Sequence, residues 1–257
     1  MSGDEDGAPI WARPEPGARH SRLTRERIAA AALEIADSEG FGAVSMRRVA
    51  AELDAGTMSL YHYVRSKGDL IALMDDALMA EALVSEGEMP DSWREALTLI
   101  ARRTWALLVR HPWALLSLPE ARFGPNAMRH TEQSLAAADG TGLDARARLE
   151  LLALVDDYVV GNALHTSESL KRAAAARADP EAVRASVEFG LDQLRTGAFP
   201  RTEALLGGRD PRRDLDGSVG PSMDVQGLGD RFERGLQAVL DGAERRMGLP
   251  FRSLTPP

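Results

Sequence analysis

Across residues 24–53 apolar side chains return every three or four positions: Ile28, Ala31, Ala32 and Ile35, then, after Gly40, Met46, Val49, Ala50 and Leu53. That period lines one face of an α-helix. Thr24 and Ser45 stand at the N-cap positions of these two stripes. The pattern breaks at Asp54-Ala55-Gly56 and restarts over residues 57–64, only about two turns. Leu60 and Val64 are its apolar pair, facing the first two helices. Thr57, Met58, Ser59, Tyr61, His62 and Tyr63 are left spread over the exposed arc. Ser66 with Asp69 has the S-x-x-D spacing of a capping box and opens a fourth stripe, Leu70, Leu73, Met74, Ala77 and Leu78.

Beyond a break at residues 87–90 the helical period continues. Residues 92–110 carry Trp93, Leu97, Ile100, Thr104, Leu107 and Leu108, and His111-Pro112-Trp113 then turns the chain into a short apolar piece ending near Pro119. Further helices are expected over 124–138 and 145–176. The second is apolar almost all round from Leu149 to Leu164, the mark of a helix buried on more than one side. Asp179-Pro180 starts another that stops at Gly197. Residues 207–229 are rich in Gly, Pro, Asp and Arg without a period and read as a mobile loop. A last helix over 230–247 is carried by Phe232, Leu236, Val239, Leu240 and Ala243. Residues 1–22, with arginines at 13, 19 and 22, read as a flexible tail. No segment alternates with period two. The expected fold class is all-α: a three-helix unit over 23–70 and a larger helical domain over 71–250.

Composition removes several chemistries. With no cysteine there is no disulfide and no thiolate nucleophile or zinc–thiolate site. The five histidines include no i, i+4 pair, and no phosphate-binding, dinucleotide, G-x-S-x-G or H-E-x-x-H motif occurs. Side chains of the adjacent Asp156 and Asp157 diverge by about 100° on a helix and cannot serve as one acid–base dyad. An enzyme is therefore not expected, nor a metal or other cofactor. No apolar run approaches the ~18 residues of a membrane span, and the acidic start lacks a secretory signal, so a cytoplasmic protein is expected. A net charge of −8 argues against indiscriminate binding to polyanions but leaves room for a local basic face.

Two helices joined by a short Gly-containing turn, the second short, polar and aromatic, suit insertion into a DNA major groove. Arg47 lies in the first turn of the preceding helix, and Ser45 and Lys67 sit at helix N-termini, where backbone N–H groups favour phosphate. From spacing alone an ordinary helical hairpin remains an equal alternative. The residues themselves go further. "ALEIADSEGF", "SMRRVAAEL", "TMSLYHYV" and "SKGDL" together resemble the DNA-binding domain of the tetracycline-repressor (TetR) family over about 60 residues. "WREAL", "LLVRHPW", "DDYVVGNAL", "GAFP" and "FERGLQAVLDGAE" resemble its ligand-binding domain more loosely. The resemblance places Arg47, Thr57, Met58, Ser59, Tyr61 and Tyr63 where such repressors touch bases or nearby backbone, and Ser45 and Lys67 at phosphate-contact positions. Asp54 departs from the family's turn glycine, and His62-Tyr63 inverts its commoner order.

What the resemblance implies is a ligand-responsive repressor: a homodimer on a palindromic stretch of double-stranded operator DNA, released by a small hydrophobic inducer. The apolar excess of 145–176 and 230–247, with Gly235 and Gly242 seven apart, points independently to a helical dimer interface. Candidate pocket residues are Trp105, His111, Trp113, Phe123, Met128, Asp157, Tyr158, Asn162 and His165. The segment after His111 does not reproduce the magnesium-binding motif of tetracycline-binding members. A helical interaction or scaffold protein without DNA binding is the competing reading. The arginines of the tail could add a minor-groove arm.

Overall fold

The Thr24 hydroxyl accepts from Arg27 N at 3.2 Å and opens α1 (Arg25–Glu39), which ends at Gly40 with φ 89°. Ser45 in the same way accepts from Arg48 N and opens α2 (Met46–Glu52); α3 (Thr57–Tyr61) follows the turn. Ser66 accepts from Asp69 N at 3.0 Å at the start of α4 (Lys67–Ala82). The computed structural model describes residues 8–16, 23–117, 124–207 and 225–249, and every regular element among them is helical. Later helices are α5 (Trp93–Arg110), α6 (Ala114–Ser117), α7 (Pro125–Asp139), α8 (Ala145–Ala178), α9 (Pro180–Arg195), α10 (Pro200–Leu206) and α11 (Val225–Met247).

The chain divides into two compact units, Met1–Leu164 with Leu236–Pro257, and His165–Gly235. In the first, Ile28, Ala32, Val49, Leu60, Val64 and Leu70 have essentially no exposure and form the core of the N-terminal helices. Each fully buried Ile, Val or Leu among them contributes about 1.5–3 kcal/mol, which is what holds a helix as short as α3 in place. α4 runs from this core into the larger bundle, packing on α1, α5 and α7. Arg94 of α5 ties down the second half of α11 through Asp241 Oδ1 at 2.6 Å, Glu244 Oε1 at 2.8 Å and Gln237 Oε1 at 2.7 Å. The second unit holds the C-terminal part of α8, then α9, α10 and the start of α11. Asp179 caps α9 by accepting from Ala182 N at 3.0 Å.

Three expectations are corrected. Residues 8–16 do not dangle: a single 3₁₀ turn at Ile10–Ala12 buries Ile10, and the Arg13 guanidinium pairs with Asp69 at 2.5 Å with both side chains about nine-tenths buried. Arg25 N also donates to Glu15 Oε1 at 2.8 Å. One apolar side chain, one ion pair and one hydrogen bond to a helix amide outweigh the polar composition that marked the segment as a tail. α11 starts at Val225, not near residue 230, and α10 arises where no helix was expected, opened by Pro200 and closed by Gly207 at φ 54°. Within one chain Leu149, Leu154 and Leu164 of α8 are exposed. Arg19, Arg22 and residues 208–224 of the expected loop lie outside the described residues.

Candidate nucleic-acid interface and ligand cavity

α3 is pinned from below by the fully buried Leu60 and Val64, so its other residues face outward. Met58 is 75% exposed and Tyr61 42%, with Ser59 and His62 also exposed and Thr57 half-buried. Arg47 of α2 is exposed beside this helix and makes no hydrogen bond or salt bridge among the described residues. Its neighbour Arg48 is committed elsewhere, to Glu39 at 2.5 Å and Glu52 at 2.8 Å. The exposed Lys67 holds its ammonium 5.7 Å from the Phe41 ring centroid, and Ser45 is exposed while serving as a cap. Asp54 adopts φ 49°, with Ala55 N donating to Ala50 O at 2.9 Å, so it performs the left-handed helix stop usually given to glycine. Tyr63 is a correction. The chain leaves α3 at Tyr61 and turns, Tyr63 N donating to Leu60 O, and this carries the Tyr63 ring inward to 9% exposure.

The larger bundle holds a cavity of about 260 Å³ between α5, α7 and α8. Leu97, Ile100, Ala101 and Thr104 line it from α5, and His130, Thr131 and Ser134 from α7. α8 supplies Leu149, Leu152, Ala153, Val155, Asp156 and Val159. Thr104 Oγ1 and His130 Nε2 lie 3.1 Å apart. Burial pushes His130 below the ordinary histidine range, against the pull of Asp156, so it is neutral at pH 7. Asp156 keeps solvent contact at the mouth, yet the crowding around its carboxyl pushes it above the ordinary aspartate range. His130 opposes that rise and Asp157 adds to it.

Of the nine residues singled out from the sequence, the eight that are described do not line this cavity. Trp105 Nε1 donates to Asn162 Oδ1 at 2.8 Å, and Asn162 Nδ2 to Tyr158 Oη at 3.4 Å, a polar cross-link between α5 and α8. Asp157 is exposed, Met128 is 63% exposed, and Phe123 lies outside the described residues. His165 is exposed with Arg231 Nη1 at 3.5 Å. Missing were His130, Thr104 and Asp156, whose only sequence signal is that polar residues interrupt apolar stripes on three different helices.

His111 and Trp113 have another role. Both converge on Asp37 Oδ1 near the end of α1, His111 Nδ1 at 2.7 Å and Trp113 Nε1 donating at 2.7 Å. Trp113 also stacks on Phe41, ring centroids 5.9 Å apart. A second link runs through α4. Buried Asp76 accepts from Asn126 N and Ala127 N at 2.8 and 3.1 Å and so caps α7, while Gln133 bonds both N and O of Val84. The helices that line the cavity are thus fastened to the helices that carry the exposed α3 face.

Comparison with known proteins agrees with this geometry. Residues 28–74 match the family model described as bacterial regulatory proteins, tetR family, and residues 86–247 match the tetracyclin repressor-like C-terminal domain. The HTH-type transcriptional repressor DrrR1 of Streptomyces coeruleorubidus is 38% identical over 90% of this chain and 81% of its own. An HTH-type transcriptional regulator of Saccharopolyspora erythraea is 34% identical over 95% of both. Among solved structures, ActR of Streptomyces coelicolor in complex with actinorhodin superposes with a TM-score of 0.65 at 26% identity, covering 88% of this chain and 99% of that one. With its exposed helix-turn-helix face and both family domains matched in order, the chain belongs to the TetR family, whose members are DNA-binding transcription factors and not enzymes.

Proposed function

We propose that the protein is a ligand-responsive transcriptional repressor that binds a palindromic operator as a homodimer and lets go when a small, largely apolar molecule fills the α5–α7–α8 cavity. The observation that carries this reading is the presentation of α3: Met58, Ser59 and Tyr61 project from a helix whose anchor residues are completely buried, with Arg47 of α2 exposed and without a partner among the described residues. Arg47 suits a guanine edge or a phosphate, Tyr61 and Met58 suit base methyls and sugars, and Lys67 suits the backbone. That the similar protein DrrR1 is a transcriptional repressor supports repression, and the similar ActR was solved with actinorhodin bound.

Release follows from linkage. A ligand shifts the protein only by its differential affinity for two conformations. Filling the cavity moves α5 and α7 apart, and both are fastened to the N-terminal helices, α5 through His111 on Asp37 and α7 through its Asp76 cap on α4. Tilting α4 changes the separation of the two α3 helices of a dimer, which must match about 34–36 Å of duplex.

The test is selection of bound fragments from a random DNA pool at about 150 mM salt, where weak polyanion binding is suppressed, with Tyr61→Ala alongside. The expected outcome is one inverted repeat, bound at least about tenfold more weakly by Tyr61→Ala. A folded protein that enriches no sequence would overturn the reading in favour of an interaction scaffold.

A further inference from the structure

Among the described residues, the cavity between α5, α7 and α8 is lined by one carboxylate and no cationic side chain. Its walls are aliphatic, and no lysine or arginine is among the residues that line it. Asp156 faces this space from α8, and its carboxylate makes no hydrogen bond or salt bridge with any other described residue. The His130 imidazole across the cavity is engaged with Thr104 at 3.1 Å, and burial pushes it below the ordinary histidine range. Asp156 is exposed at the mouth of this space, so its carboxylate is solvated in the empty protein. Placed at the edge of an apolar lining, it attracts a cation that enters and repels an anion of the same shape.

We propose that the effector of this cavity is a lipophilic cation: a rigid apolar ring system bearing an amine, whose ammonium pairs with Asp156 while its rings lie against Leu97, Ile100, Leu152 and Val159. This rests on the reading of the cavity as the effector site. The hydroxyl of Thr104 and the ring of His130 form the polar edge opposite and accept or donate to a carbonyl or hydroxyl on the ring.

Three acridines of one ring size separate charge from shape: an aminoacridinium cation, neutral acridine and acridine carboxylate. Each is titrated by its fluorescence into the full-length protein without DNA. The cation binds best and the carboxylate worst, about tenfold apart. Asp156→Asn compresses that spread to about twofold. Asp157→Asn, at an exposed residue that does not line the cavity, retains it. Equal binding of all three, preference for the carboxylate, or an unchanged spread in folded Asp156→Asn overturns the proposal. If none binds while an inverted repeat is still selected and Tyr61 still governs it, the ligand chemistry is wrong and the regulator reading stands. If the cation preference holds and no operator is selected, the regulator reading fails instead.

Discussion

Gly124 precedes α7 at the spot where Asp76 reaches across from α4. A β-carbon there would stand 2.2 Å from Asp76 Oδ1, so no other residue fits without displacing the carboxylate that caps α7. Gly124→Ala should cost about 2 kcal/mol, from overpacking and a lost cap together, measured as a lower denaturation midpoint at unchanged m. His130 makes a second prediction at this scale. Its pKa lies below the unfolded value of 6.5, so the unfolded chain binds more protons just below that pH, and stability falls as the solution is acidified through it. Asp156 works the other way at lower pH, because its raised pKa lets the folded state take up a proton first. His130→Asn should therefore lose less thermal stability than wild type between pH 7 and pH 6. An identical decline would place the titration elsewhere.

Elements in this protein communicate through a few polar ties. α5 contributes four residues to the cavity, and its C-cap residue, His111, shares the Asp37 carboxylate with Trp113. Asp37→Ala leaves the cavity untouched and cuts this tie to α1. The expected result is unchanged ligand affinity in the absence of DNA, with release of DNA needing about fivefold more ligand. Equal loss of both would mean that Asp37 only holds the fold together. The strap of residues 8–16 is a tie of the same kind, since Arg13 reaches Asp69 in the first turn of α4 while Glu15 holds the start of α1. Its arginine is thereby spent inside the molecule and is not available to DNA.

For the whole molecule, the exposed leucines of α8 matter most. Leu154 and Leu164 lie ten positions apart on a long helix, with Gly161 exposed between them, and a single chain leaves them in water. Such a face is what a second copy would cover. Leu154→Lys should shift the protein from dimer to monomer in sedimentation and weaken operator binding by at least about tenfold, while helical content stays the same. A wild type that sediments as a monomer would remove the dimer from the proposal.

Much of the first 82 residues was legible because local chemistry decides it. The caps Thr24, Ser45 and Ser66 act on amides three residues on, and the stripes of α1, α2 and α4 bury the faces their spacing indicated. The exposed face of α3 followed from its two apolar residues, except at Tyr63, where a turn and not a helical period sets the direction. The ligand cavity was not legible. Its walls come from three helices, and the polar residues that stood out in the sequence, His111, Trp113 and Asn162, prove to be ties between helices. The sequence by itself determined the helices other than α10, their order and the helix-turn-helix face, since these rest on caps and periods within a few residues. Only the tertiary structure decided that Asp76 caps α7, that Asp37 clasps the turn after α5, and that His130 and Asp156 look into one space, because each joins residues at least 26 positions apart.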